Sequence, residues 1–157
     1  MVNLEKLFVQ VHKALKPPGE FIVVDVITKN GLMIWPETYN VIDAIWRILP
    51  PKYKYDHASS SEITYAQKYP DKDFSISGFE GIRSQDIYPL LKTCFNVKHE
   101  VKGFAFTRRF VDANFGPNFN LNNECDHQMI DYMLDMDNYC VENGLLKPEN
   151  IFMALTH

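Results

Sequence analysis

The chain has 157 residues, 46% of them hydrophobic and 13% aromatic, with a formal net charge of −4. This apolar content can fill the core of one domain and excludes a disordered chain. The negative charge excludes the broad basic surface that binding to nucleic acid or to an anionic membrane needs. No apolar run approaches the roughly 18 residues of a membrane-spanning helix. Three cysteines, an odd number without close pairing, indicate reduced thiols in a cytoplasmic protein.

The first half of the chain predicts a helix, a strand and a second helix. Apolar residues recur at spacings of three and four over residues 3–15, and a Pro-Pro-Gly turn ends that helix. Residues 20–27 are rich in β-branched side chains and almost continuously apolar, which predicts a strand covered on both faces. A mobile segment is expected at residues 28–31, followed by a helix from residue 36 to about residue 49. Residues 52–81 carry no periodicity and predict a long irregular connection.

The second half predicts two helices and two strands. A helix is expected over residues 85–95, with a strand over residues 96–105. A longer amphipathic helix follows at residues 127–143, with Met136 on its apolar side, and a short strand at residues 151–155 closes the chain. We therefore predict one α/β domain that spans residues 1–157.

Several turns resemble those of class I S-adenosylmethionine-dependent methyltransferases. Ala-Leu-Lys-Pro-Pro-Gly-Glu at residues 14–20, followed by Phe-Ile-Val-Val-Asp, is similar to the family's helix-turn-strand that ends the parallel part of its sheet. Ile-Trp-Pro at residues 34–36 and Phe-Glu-Gly-Ile-Arg-Ser-Gln-Asp-Ile at residues 79–87 resemble later segments of one branch. Gly-Leu-Leu-Lys-Pro at residues 144–148, before Ile-Phe-Met-Ala-Leu, resembles the loop and final antiparallel strand.

The resemblance covers only the C-terminal half of the family's Rossmann-like domain. It implies three strands with flanking helices, with the last strand antiparallel between the other two. It also implies a small-molecule methyl acceptor and S-adenosylmethionine as cofactor. The family's glycine-rich cofactor loop is missing, because the seven glycines are scattered and no Gly-x-Gly occurs. No cofactor-binding residue is therefore predicted in this chain. A half-domain would expose a strand edge, and we expect a homodimer or a swapped dimer through that edge.

Three candidate substrate-binding residues lie around the first strand. Asp25 near the end of that strand is placed where ligands bind in open α/β sheets, or it is a carboxylate satisfied by a lysine or a helix N-terminus. Trp35 and Tyr39 are candidates for an aromatic pocket, and Tyr39 also fits the apolar stripe of its helix, where it would be core.

The remaining candidates lie in or after the long connection. His57 is the candidate catalytic base, since a histidine beside Asp56 can be held in one tautomer, and Tyr55 is a candidate substrate contact. Arg83 is a candidate for binding a substrate carboxylate or phosphate, or it forms a surface pair with Glu80 or Asp86.

No metal site is predicted, because Cys-Asp-His at residues 125–127 has no second ligand pair. Two functional hypotheses and a third reading, which concerns the fold, follow. The first is a fragment or shortened methyltransferase that supplies the acceptor-pocket half. The second is a non-catalytic α/β domain that self-associates or binds a partner. The third is an unrelated α+β fold with similar turns.

Overall fold

The computed structural model describes residues 3–59 and 62–157. Within these ranges it is an α/β protein with six α-helices, a three-stranded sheet and a two-stranded sheet. The chain divides into two compact units, and the single domain spanning residues 1–157 stays a prediction. The first unit comprises Met1–Ile34, Lys72–Gly103 and Pro148–His157, and the second comprises Trp35–Asp71 and Phe104–Lys147.

The elements follow one another in this chain order: α1 (Leu4–Ala14), β1 (Phe21–Val26), α2 (Pro36–Ile48), β2 (Tyr55–Ser59), β3 (Glu62–Tyr65), α3 (Phe74–Ser77), α4 (Ser84–Cys94), β4 (Asn96–Gly103), α5 (Arg108–Val111), α6 (Glu124–Glu142) and β5 (Asn150–Thr156). The predicted helices and strands are all present, with bounds that differ by a few residues. Their ends follow from local chemistry: the Asn3 side chain caps α1 by accepting the Lys6 N–H at 2.7 Å, and Asn123 caps α6 in the same way.

The first unit contains the three-stranded sheet, whose order is β1-β5-β4. Strand β5 runs antiparallel to both neighbours, so β1 and β4 are parallel to each other. Phe152 at the centre of β5 pairs with Val24 on one side and with Val101 on the other. The sheet confirms the prediction that the last strand lies antiparallel between the other two.

One face of this sheet carries the core of the first unit, beneath α1 and α4. Leu91 and Met153 are fully buried there, and Phe8 and Val23 are nearly so. Burial of such a side chain contributes about 1.5–3 kcal/mol to the free energy of folding. The opposite face is open, and the prediction that β1 is covered on both faces is wrong. An apolar run is therefore not sufficient evidence for a strand with two covered faces.

The second unit is built around Trp46 of α2. Its ring centroid lies 5.0 Å from that of Phe115 and 5.3 Å from that of Tyr69, and all three side chains are buried. Three backbone N–H groups at residues 105–107 donate to the buried carboxylate of Asp137 at 2.6–3.0 Å, which fixes α6 to the start of α5. Met136, predicted on the apolar side of α6, is 39% exposed.

Strands β2 and β3 form an antiparallel hairpin where an irregular connection was predicted, and that prediction is wrong for this part of residues 52–81. The hairpin carries no alternation of buried and exposed residues, since every side chain of β3 is exposed. Backbone hydrogen bonds hold it instead: the His57 N–H donates to the Asn114 carbonyl, and the Ala66 N–H donates to the Lys54 carbonyl, both at 2.8 Å.

Candidate functional site

The loop that follows β1 is fixed to the first residue of α4. The Ser84 hydroxyl lies 3.0 Å from the Thr28 carbonyl and 3.1 Å from the Lys29 carbonyl, and both Thr28 and Ser84 are buried. Ser84 is the first residue of α4, and Arg83 before it is the N-cap. The loop predicted to be mobile is thus tied by a side chain that follows it by 56 residues in the sequence.

Asn30 links this loop to two further segments. Its side-chain amide donates to the Ser75 hydroxyl at 3.1 Å, and its side-chain carbonyl accepts the Arg83 N–H at 2.8 Å. Its own N–H donates to the Gln85 side chain at 3.1 Å. One asparagine therefore satisfies groups from α3, from the residue before α4 and from the first turn of α4.

Two glycines make this packing possible. Gly31 has a φ of +73°, and a Cβ there would lie 1.9 Å from Asp73 Oδ1. Gly81 has a φ of +62°, and a Cβ there would lie 2.7 Å from the Leu32 nitrogen. The two residues are joined directly, because the Gly31 N–H donates to the Gly81 carbonyl at 2.9 Å. Only glycine combines this backbone with so close an approach.

Strain is concentrated in the same place. Leu32 and Arg83 have φ values of 61°, and Phe79 has a φ of 56°, although none of them is glycine. Left-handed non-glycine residues persist where the surroundings over-determine them, and they cluster at functional sites. We define Thr28, Asn30, Gly31, Gly81 and Ser84 as the β1 loop cluster. It lies at the carboxyl end of β1, where open α/β sheets bind ligands.

A cavity of about 440 Å³ lies at the amino end of β1. It is lined by the Pro17–Gly19 turn and by Glu20, Lys98, Thr156 and His157, and Lys98 is paired with Glu20. Its size falls within the range of small-molecule pockets. This cavity is therefore the alternative ligand site, and a ligand assigned to the β1 loop cluster must be shown not to bind in the cavity instead.

Asp25 lies on β1 and is exposed. Its carboxylate accepts the N–H of the next residue, Val26, at 2.7 Å. The carboxylate is thus satisfied by its own strand, and not by the lysine or helix N-terminus that the sequence offers as alternatives. A substrate contact by Asp25 stays a prediction.

Arg83 is engaged by two carboxylates. Its guanidinium donates to both oxygens of Glu5, at 2.6 and 2.9 Å, and to Asp86 at 2.7 Å. These bonds lower the pKa of Glu5 to about 2 and raise the pKa of Arg83. The surface-pair alternative thus holds for Asp86, with Glu5 rather than Glu80 as the second partner. A substrate contact by Arg83 stays a prediction, and it requires the guanidinium to release Glu5 or Asp86.

Trp35 and Tyr39 lie at the start of α2 in the second unit. The Tyr39 hydroxyl lies 3.4 Å from the Tyr69 carbonyl, which fits a packing role. The Lys147 ammonium lies 4.2 Å from the centroid of the Trp35 ring and 3.5 Å from a carboxylate oxygen of Glu37. Within residues 3–59 and 62–157 two buried polar atoms at the start of α2, Trp35 Nε1 and Thr38 Oγ1, have no hydrogen-bond partner.

His57 and Tyr55 lie on β2. His57 Nε2 is 3.0 Å from Asn118 Oδ1, and the Asn118 amide nitrogen donates to the carbonyls of Tyr53 and Tyr55. Because those carbonyls fix the orientation of the amide, Nε2 carries the proton of the neutral ring and Nδ1 keeps its lone pair. The Asp56 carboxylate accepts the Ala58 N–H at 2.8 Å, and among the described residues it makes no hydrogen bond with the His57 ring. A base role for His57, through Nδ1, stays a prediction.

Sequence reasoning missed the ionic network at Asp126. Its carboxylate accepts from the Tyr53 hydroxyl at 2.5 Å, from the Lys52 ammonium at 3.0 Å and from the Asn120 N–H at 2.9 Å. The Asn120 N–H, then Tyr53 and Lys52, lower the pKa of Asp126 to about 2. These bonds join α6 to Lys52 and Tyr53, which precede β2, and to Asn120, which precedes α6. Among the described residues no group of three potential ligands could hold a metal ion.

Comparison with known proteins gives no assignment. No family model, curated protein or solved structure matches the chain. In the part of the chain that is described, none of the helices has the length and apolarity that crossing a bilayer needs.

Proposed function

We propose that this chain supplies the acceptor-pocket half of an S-adenosylmethionine-dependent methyltransferase that acts on a small molecule. The observation that carries the proposal is the sheet order, β1-β5-β4, with β5 antiparallel between two parallel strands. A helix precedes each parallel strand, as the resemblance implies for the fifth and sixth strands of a Rossmann-like sheet. The β1 loop cluster at the carboxyl end of β1 supports a ligand site there.

The residues of this chain do not fit S-adenosylmethionine. A cofactor cradle needs glycines whose open side faces a ligand, whereas the open sides of Gly31 and Gly81 are filled by Asp73 and Leu32. The third glycine with a positive φ, Gly144, follows α6 and belongs to no glycine-rich loop. The cofactor site therefore has to come from another polypeptide segment. The role of this half is to bind and orient the acceptor, which accounts for much of the rate enhancement when two reactants must meet.

A second candidate function is a non-catalytic, cytoplasmic α/β domain that self-associates or binds a partner. It is favoured by the apolar side chains on the open face of the sheet, where Val24 is 74% exposed and Val101 is 51% exposed. Exposed apolar patches of this kind mark interaction surfaces in soluble proteins.

The proposal is tested by NMR titration with a mixture of small phenols, amines and carboxylic acids. We expect amide shifts at residues 28–33 and 84–85. The Ser84→Ala variant is expected to weaken the best ligand roughly tenfold, because the loop loses its tie to α4. Thr93→Ala is the matched control: it removes a hydroxyl bonded to a backbone carbonyl, Pro89, on the same helix. Shifts confined to the cavity at the amino end of β1, or equal affinities for the two variants, would overturn the site assignment.

A further inference from the structure

Strand β1 forms one edge of the three-stranded sheet, and the direction of its hydrogen-bonding groups is fixed. Ile27 donates its N–H to the Glu149 carbonyl at 2.7 Å, so Ile27 and alternate residues before it face β5. The N–H and C=O groups of Ile22, Val24 and Val26 consequently face away from the sheet. Within the described ranges no hydrogen bond reaches these groups of Ile22 and Val24, whereas the Val26 N–H donates to Asp25.

The two edge strands of the sheet, β1 and β4, differ in how well they are protected against pairing with a further strand. Strand β4 has a bulge between Val97 and His99, and it carries Lys98 and Lys102. The bulge and the lysines each hinder pairing with another strand. Strand β1 has a regular register from Phe21 to Val26 and contains neither lysine nor proline. The β1 edge therefore remains competent to pair.

Apolar side chains continue from this edge across the open face. Val24, Phe152 and Val101 are direct cross-strand neighbours, and they are 74%, 38% and 51% exposed. Ile22, which precedes Val24 on the same face, is 50% exposed. A strand added at β1 would extend this cross-strand row of apolar side chains and would shield Val24, which is the most exposed of them.

We propose that the β1 edge pairs with the β1 edge of a second copy of this chain, antiparallel, about a two-fold axis at Val24. This register places Val24 opposite the partner's Val24 and Ile22 opposite the partner's Val26, so apolar side chains meet on the open face. Asp25 lies opposite the partner's Val23, so no like charges are juxtaposed. The self-complementarity of the strand favours a second copy over a foreign strand, and the two-fold axis closes the assembly as a dimer with one six-stranded sheet.

Asp25 has a role in this dimer. In the single chain its carboxylate occupies the Val26 N–H, which in the dimer donates to the carbonyl of the partner's Ile22. Pairing must therefore displace the carboxylate, and the six-residue interface is short. We expect a dissociation constant on the order of tens of micromolar.

The test is sedimentation velocity from about 5 to about 500 µM, a range that brackets this constant. The wild-type chain is expected to shift from monomer to dimer. Val24→Lys places two lysines directly opposite each other and is expected to remain monomeric. Val101→Lys is the matched control, because it adds the same charge to the same face away from the edge, and it is expected to dimerise. Asp25→Ala is expected to tighten the dimer about threefold to tenfold, since it frees the Val26 N–H.

A wild-type chain that stays monomeric throughout would overturn the proposal, as would equal weakening by the two lysine variants. Should Val24→Lys fail to fold, Val24→Pro replaces it. The N–H that proline lacks points away from the sheet at this position. The bonds to β5 therefore survive, while a donor to the second copy is lost. The inference names a partner for the second candidate function and does not depend on acceptor binding. A monomeric wild type leaves the NMR titration unaffected, and a failed titration leaves the dimer unaffected.

Discussion

Replacement of Gly31 by alanine tests whether the β1 loop cluster is held as rigidly as its contacts indicate. The left-handed backbone, with a φ of +73°, costs alanine roughly 1–2 kcal/mol. The new Cβ would lie 1.9 Å from Asp73 Oδ1, so that carboxylate must move. It would then lose its bonds from the N–H and the hydroxyl of Ser75, each worth about 1 kcal/mol. We expect Gly31→Ala to lower the free energy of unfolding by about 3–4 kcal/mol.

Two other glycines separate these contributions. A Cβ at Gly144 meets nothing within 4 Å, but φ is +66°, so Gly144→Ala isolates the backbone cost of roughly 1–2 kcal/mol. Gly103 has neither a positive φ nor a neighbour within 4 Å, and Gly103→Ala is expected to be neutral within about 0.5 kcal/mol. Urea unfolding followed by far-ultraviolet circular dichroism measures all three. A loss for Gly31→Ala within about 0.5 kcal/mol of that for Gly103→Ala would show that the β1 loop cluster is not held rigidly around Gly31.

Three further predictions concern single side chains. Asp126 has its pKa lowered from 3.8 to about 2, so its stabilising contribution is complete above about pH 4 and is lost between pH 4 and pH 2. The difference in urea midpoint between wild type and Asp126→Asn should shrink over that interval, and a constant difference would contradict this. Glu5→Gln removes an exposed partner of Arg83, and the resulting loss of stability should be smaller in about 1 M salt than in about 0.05 M salt. A salt-independent loss would argue against an ionic origin. Long-range ¹H–¹⁵N spectra should show neutral His57 protonated at Nε2, with Asn118→Ala lowering the share of that tautomer; an Nδ1–H form in wild type would refute the assignment.

The sequence predicts most of the elements because their signals are local. Apolar spacing and a Pro-Pro-Gly stop define α1, and a proline at the first helical position marks α2. The hairpin of β2 and β3 has no such signal, since it is held by bonds to Asn114 and Lys54 and not by a buried face. The continuous apolar run of β1 predicted two covered faces, and only the face beneath α1 and α4 is covered.

The candidate site was harder to predict than the fold because its contacts join distant parts of the sequence. Asn30 and Gly31 form a dipeptide that is typical of a turn. Their partners, however, lie 45 to 55 residues further along the chain. Arg83 was predicted beside Asp86, but its second partner, Glu5, is 78 residues away. Spacing along the chain carries no information about such pairs.

We propose that this chain holds an acceptor site at the carboxyl end of β1 and no site for S-adenosylmethionine. The most direct test is one series of amide ¹H–¹⁵N spectra with S-adenosylmethionine and with the best ligand of the acceptor mixture. We expect no shifts with S-adenosylmethionine, and shifts at residues 28–33 and 84–85 with the acceptor ligand. Saturable shifts with micromolar S-adenosylmethionine, or acceptor shifts that leave both segments unchanged, would contradict it.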